Sequence, residues 1–233
     1  VKLLIEFLCR FGLGLSLALA ATPAAIVPAG FFRVNLLVVL GLATFAALLE
    51  KTALPGGAWL LPAAAAAAAW LGSMVWLAER KTAGIVACVV CAVLLAAACP
   101  PAGWLSGLVV GLTVHAMLLG HWYLNAPGMR VDALRRMIDL ALVAWGVQLI
   151  VAAAGAVATG LVGGAAVDPA TVALVSLRWL AGLAGLPILL WLSRKTLDIP
   201  NTQSATGILY VACIAAVVGE LTAQLLAAAS ASV

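Results

Sequence analysis

Charge is what this sequence has least of. Only 9% of its 233 residues are Asp, Glu, Lys or Arg, against about a quarter in an ordinary soluble domain. So few polar side chains cannot cover the exterior of a water-soluble fold. Histidine is scarcer still, with 2 in the chain, and the 5 cysteines all fall inside apolar runs. Cys88 and Cys91 form a lone C-x-x-C; no second pair or nearby His completes a metal set, so no metal site is expected. No Walker loop, H-E-x-x-H, nucleophile elbow or G-x-G-x-x-G fingerprint occurs. No polar stretch is long enough to form a soluble domain. These absences exclude a self-contained enzyme of the usual kinds, and the chain is expected to have no catalytic activity of its own. The net charge of +4 is too small and too scattered for a nucleic-acid surface.

Hydrophobic residues, by contrast, make up 66% of the chain and gather in long runs. They are continuous and rich in Ala and Leu, without the alternation of barrel strands. In hydrocarbon a segment must satisfy its own backbone groups, so the runs are helices. The expected fold is all-α, a polytopic transmembrane bundle in a single membrane domain over 1–233. Eight spans are expected near 5–27, 31–49, 58–78, 83–99, 103–124, 137–159, 171–192 and 205–228, with a seven-span alternative because the fourth is short. The first run reads as a retained helix, since Glu6 and Arg10 interrupt it and it continues past Ala20 and Ala21.

Alternate loops sort by charge. One side collects Arg33, Arg80, Lys81, Arg130, Arg135, Arg136, Arg194 and Lys195, and the other has Lys2 and Lys51, with Arg10 at a helix edge. Positive charge marks the cytoplasmic face, which puts both termini outside a bacterial inner membrane. Trp59 and Trp104 then fall at the outer interface, and Trp76, Trp122, Tyr123 and Trp191 at the inner one.

Helices three and seven end alike, in Trp76-Leu77-Ala78-Glu79-Arg80-Lys81-Thr82 and Trp191-Leu192-Ser193-Arg194-Lys195-Thr196. Pro28-Ala29-Gly30-Phe31-Phe32-Arg33 after helix one is matched by Pro127-Gly128-Met129-Arg130 after helix five. Both matches pair helices four apart. They suggest an internal repeat, 1–100 and 101–233, with two four-helix halves related by an axis along the membrane normal.

Ionisable groups inside a bilayer are costly, so each is a functional candidate. The candidates are Glu6 and Arg10 on helix one, His115 and His121 on helix five, Gln148 on helix six, Arg178 on helix seven, and Glu220 with Gln224 on helix eight. Arg178 and Glu220 lie at matching depths of about 10–12 Å from the outer face, and are expected either to pair with each other, as Glu6 does with Arg10, or to line a ligand- or proton-handling site. His115 and His121 stand six residues apart, on different sides of their helix, and cannot both ligate one haem. Helix eight opens with Thr202 or Ser204 as its expected cap.

The stretches GHWYLNAPGM (120–129) and TQSATGILY (202–210) resemble those of a group of bacterial polytopic membrane proteins of no characterised activity. In architecture, eight spans with both termini outside resemble the membrane subunits of polysulfide- and dimethyl-sulfoxide-reductase-type complexes. That likeness implies a quinone as ligand near the outer face and extracytoplasmic redox subunits as partners. The expectation is a membrane subunit of a respiratory or electron-transfer complex with a quinone- or proton-handling site. A small-solute or ion transporter and a structural or assembly protein are the alternatives.

Overall fold

The computed structural model describes residues 1–54, 56, 58–126, 130–158, 169–199 and 201–230. All regular structure among them is helical. Eight helices follow in order: α1 (Lys2–Ala21), α2 (Ala29–Ala53), α3 (Leu60–Leu77), α4 (Lys81–Ala97), α5 (Trp104–Asn125), α6 (Asp132–Ala158), α7 (Pro169–Thr196) and α8 (Thr202–Ser230). All but α4 are long and apolar enough to cross a membrane, and α4 has 17 residues, about 25 Å of rise. The protein is an all-α, multi-pass membrane bundle.

Proline sets several of the boundaries. The expected first span reached residue 27, but α1 stops at Ala21 because Pro23 drives Thr22 into extended backbone (ψ 131°). Pro100 and Pro101 close α4 and begin a 3-10 turn, Pro101–Gly103, that leads into α5. The α3–α4 turn takes three residues. Glu79 adopts a left-handed conformation (φ 54°), while Arg80 N–H bonds Val75 O and Glu79 N–H bonds Trp76 O, closing the last carbonyls of α3. Asn201 caps α8: its Oδ1 accepts the Ser204 N–H at 3.0 Å, so the cap lies one residue before the expected Thr202 and three before Ser204. Pro127, Gly128, Met129 and Thr159 lie outside the described residues.

Helix neighbours fall into two rings. Helix α1 packs on α2 and α4, and α3 bridges those two; α5 packs on α6 and α8, and α7 bridges those. The rings join where α1 meets α5. Of the most apolar eighteen residues, 56% are buried in α1 and 61% in α5, against 11% in α7. The α1–α5 seam is therefore the core, and α7 the rim.

That seam is made of glycine. A Cβ on Gly14 would lie 1.9 Å from Gly107 O, and one on Gly111 would lie 2.1 Å from the Gly14 carbonyl carbon. The two backbones touch, which is how helices associate where apolar burial gives no drive. In the first ring Trp76 fills the centre, stacked on Phe32 at 4.0 Å and lying flat on Gly84 of α4. Trp76 was expected at the inner interface; it is 1% exposed and belongs to the core.

Candidate functional site

Arg10 organises the membrane charges. Its Nη2 contacts Glu6 Oε2 at 2.9 Å, one helical turn back, and its Nη1 contacts Glu220 Oε1 of α8 at 2.9 Å. Gln224, four residues beyond Glu220, donates from Nε2 to the same Oε1 at 2.7 Å. The expected Glu6–Arg10 pair is present. The expected Arg178–Glu220 pair is not, because Arg10 already holds Glu220 from across the seam. Matching depth placed Glu220 at the right level and could not say which helix faced it.

Local geometry explains why Arg10 fits. The 3-10 turn before α5 carries Gly103 past the guanidinium, so close that a Cβ there would lie 2.0 Å from Arg10 Nε. Two acidic groups and one base leave this cluster with a formal charge of −1. Among the described residues, three of its buried atoms also lack a hydrogen-bond partner: Glu220 Oε2, Gln224 Oε1 and Arg10 Nε. Two of these are acceptors with no donor to meet them, on side chains only 3% exposed. Buried acceptors left bare cost about 1–3 kcal/mol each.

Glu220 also borders a cavity in the upper centre of the second ring, the end of the bundle that carries the start of α1 and the end of α8. Its walls are Ser106, Val109 and Val110 of α5, Gln148 of α6, Arg178, Gly182, Leu183 and Leu186 of α7, and Ala216, Gly219 and Glu220 of α8. The cavity is small, about 20 Å³, room for roughly one water. So Arg178, Gln148 and Glu220 do converge, across a cavity rather than in a pair. Arg178 makes no ion pair among the described residues and is half-buried.

Helix α7 is not regular here. Residues Arg178–Gly185 wind as a π-helix between α-helical Pro169–Leu177 and Leu186–Thr196. Inserted π turns are frequent at functional sites because they displace side chains from the regular register. Below Arg178, Gly182 meets Gly219 so closely that a Cβ on Gly182 would lie 2.9 Å from the Gly219 Cα. The π stretch and the Gly182–Gly219 crossing give no periodic signal in the sequence. Ser106, on the regular helix α5, is an uncharged residue with no pattern in the sequence to single it out. The Gly103, Gly107, Gly111 spacing of four, however, is the small-residue pattern of close helix contacts.

The histidines stand apart from this cluster. His115 is fully buried, with Nε2 2.7 Å from Thr22 Oγ1. Thr22 gives its own hydrogen to Ala18 O at 2.7 Å, so the ring donates from Nε2 and Nδ1 is left without a partner. His121 is exposed, 3.1 Å from Tyr210 OH at the arginine-rich end, an interfacial hydrogen bond. Among the described residues no group of His, Cys, Asp or Glu is arranged to hold a metal ion.

No protein-family model, curated protein or solved structure matches the chain.

Proposed function

We propose that the chain is a membrane subunit of an electron-transfer assembly, in which the Glu220 carboxyl exchanges protons through the cavity it shares with Arg178 and Gln148. One observation carries this reading: Glu220 Oε2 and Gln224 Oε1 are buried acceptors with no hydrogen-bond donor among the described residues, and Glu220 borders the cavity that Arg178 also lines. A proton on Glu220, or a water carried into the cavity beside it, would supply a donor that these acceptors lack. The glycine seam favours one-sided exchange over transport, since contact between the α1 and α5 backbones leaves no aqueous route along it. The charge bias of the loops supports an outward-facing position for this end of the bundle, and a quinone would suit as the molecule served, because its reduction and oxidation carry protons.

Two measurements test the reading. Infrared difference spectra across a pH step should show a carboxyl C=O band that shifts in D₂O, is lost in Glu220→Gln and persists in Glu6→Gln. A second comparison separates a working group from a packing group. Arg10→Leu strands both Glu6 and Glu220, at about 3–5 kcal/mol, whereas Glu220→Leu leaves Arg10 paired with Glu6 and should cost less. Glu220→Leu should therefore keep most of its yield and still lack the band. A band that survives in Glu220→Gln would sink the proposal.

A further inference from the structure

The cavity gathers the polar side chains of Ser106, Gln148, Arg178 and Glu220 around a space of about 20 Å³. Two of them can donate into it, Arg178 through its guanidinium and Gln148 through its amide. Two can accept. Ser106 Oγ gives its hydrogen to Gly103 O at 3.0 Å, which leaves its lone pairs free. Glu220 Oε1 already meets Arg10 at 2.9 Å and Gln224 at 2.7 Å, so Oε2 is the oxygen left for the cavity. Charge is open in the same place. Glu6, Arg10 and Glu220 sum to −1, and Arg178 has no carboxylate in direct contact among the described residues. An uncompensated guanidinium in a bilayer is costly. The fold nevertheless brings it here. Gly182, four residues after Arg178, meets Gly219, the residue before Glu220, and a Cβ on Gly182 would lie 2.9 Å from the Gly219 Cα. Bare backbone on both sides draws the π stretch of α7 onto α8, with Arg178 and Glu220 on one cavity wall.

We infer that the cavity binds one ordered water, which joins Arg178 and Glu220 Oε2 as a solvent-separated ion pair, and that Arg178 is the positioning residue that fixes this water. The inference rests on the reading of Glu220 as a proton-exchanging group, and adds to it the counter-charge that Glu220 faces between one proton and the next. Size and charge both select water. A cation in so small a space would face Arg178, and an anion would face Glu220. A neutral molecule that both donates and accepts meets neither penalty. The water accepts from Arg178 and Gln148 and donates to Glu220 Oε2 and Ser106 Oγ, the full set of bonds that a buried water can make. It supplies the donor that Oε2 lacks. It also lets Arg178 cancel the −1 of the Arg10 cluster without a contact that would close the cavity. A water bridge is nearly as favourable as a direct hydrogen bond.

Infrared spectra of the protein in nanodiscs, in ordinary against heavy-oxygen water and with no pH step, test the bridge. A narrow O–H band that moves with the oxygen isotope should mark the ordered water. It should vanish in Arg178→Leu and in Glu220→Gln, and weaken in Ser106→Ala and Gln148→Leu. Arg178→Lys keeps a charged donor and should retain the band at a shifted frequency, a rescue that packing alone would not give. Arg178 has no direct partner to lose, so its variants should accumulate as the unaltered protein does. Should Arg178→Leu fail to do so, Arg178→Gln, which keeps a donor without the charge, gives the same comparison and should show a weakened band. A density map that resolves ordered water should show one peak within hydrogen-bond reach of both the Arg178 guanidinium and Glu220 Oε2. Absence of an isotope-sensitive band, or a peak that touches neither group, would overturn the water site. A band indifferent to all three Arg178 variants would overturn the role of Arg178. Neither result can be mistaken for failure of the proton reading, which stands or falls on the carboxyl band in Glu220→Gln.

Discussion

The two four-helix rings share an order of neighbours and differ in what fills them. In α1–α4 the centre is solid: Phe32 and Trp76 stack, and Gly84 lets α4 close against the indole. In α5–α8 the corresponding centre is a cavity walled by Arg178, Gln148 and Glu220, beside a helix whose middle is π-wound. We propose that the rings are repeats of one unit, one kept as packing and the other relaxed for chemistry. The packed ring still contributes, since its Arg10 reaches across the seam to hold Glu220. The closely packed half thus supplies a charge to the half that holds the cavity.

The strongest way to break that comparison is to separate the halves. Gly111→Leu forces a side chain into the Gly14 backbone, where no rotamer can relieve a 2.1 Å approach. The cost should exceed the ~1–3 kcal/mol of ordinary overpacking, and the protein should fail to accumulate in membranes. The same substitution at Gly146 of α6, whose Cβ would meet nothing within 4 Å, should change thermal stability in detergent by less than about 1 kcal/mol. Equal tolerance at both positions would mean that the seam is not what joins the rings.

A smaller effect should separate the two look-alike helix ends. In sequence, Trp76 and Trp191 each sit a few residues before a basic pair, and both read as interfacial. In the fold Trp76 is 1% exposed and Trp191 is 53% exposed. Trp76→Ala should cost about 3–5 kcal/mol through the void it leaves, and Trp191→Ala within about 0.5 kcal/mol, both read from unfolding midpoints in detergent. Comparable losses at the two sites would show that α7 is as closely packed as α3, and the contrast between the rings would fail.

This pair also shows how far the sequence could be read. Composition and run length gave the helices, because a bilayer-scale apolar run has few other structural outcomes. Depth along each helix brought Glu6, Arg10, Glu220 and Arg178 to one end of the bundle, because rise per residue is fixed, while Gln148 read as mid-span. Azimuth was not legible. Whether Trp76 points at lipid or at Phe32, and whether Glu220 meets Arg10 or Arg178, depends on which helices are neighbours, and a helix that is apolar all round carries no stripe to tell. Nor was the π stretch legible, because it breaks the periodicity that such readings rely on.

The smallest expected effect lies in the packed ring, at the turn joining α3 to α4. Glu79 holds φ at 54° because the turn requires a left-handed residue between the bonds Glu79 N–H to Trp76 O and Arg80 N–H to Val75 O. A side chain with a Cβ carries strain of about 1–2 kcal/mol there, which glycine would remove. Against that, glycine frees the unfolded chain, at a cost of roughly 0.4–1 kcal/mol. Strain relief is the larger quantity, so Glu79→Gly should raise stability by a few tenths to about 1 kcal/mol, whereas Glu79→Ala keeps the strain and should not. The two variants differ in the Cβ but not in the lost charge, so their difference isolates the backbone. If Glu79→Gly proved no more stable than Glu79→Ala, this turn would not be strained, and the packed ring would be relaxed at a point where its geometry says it is held.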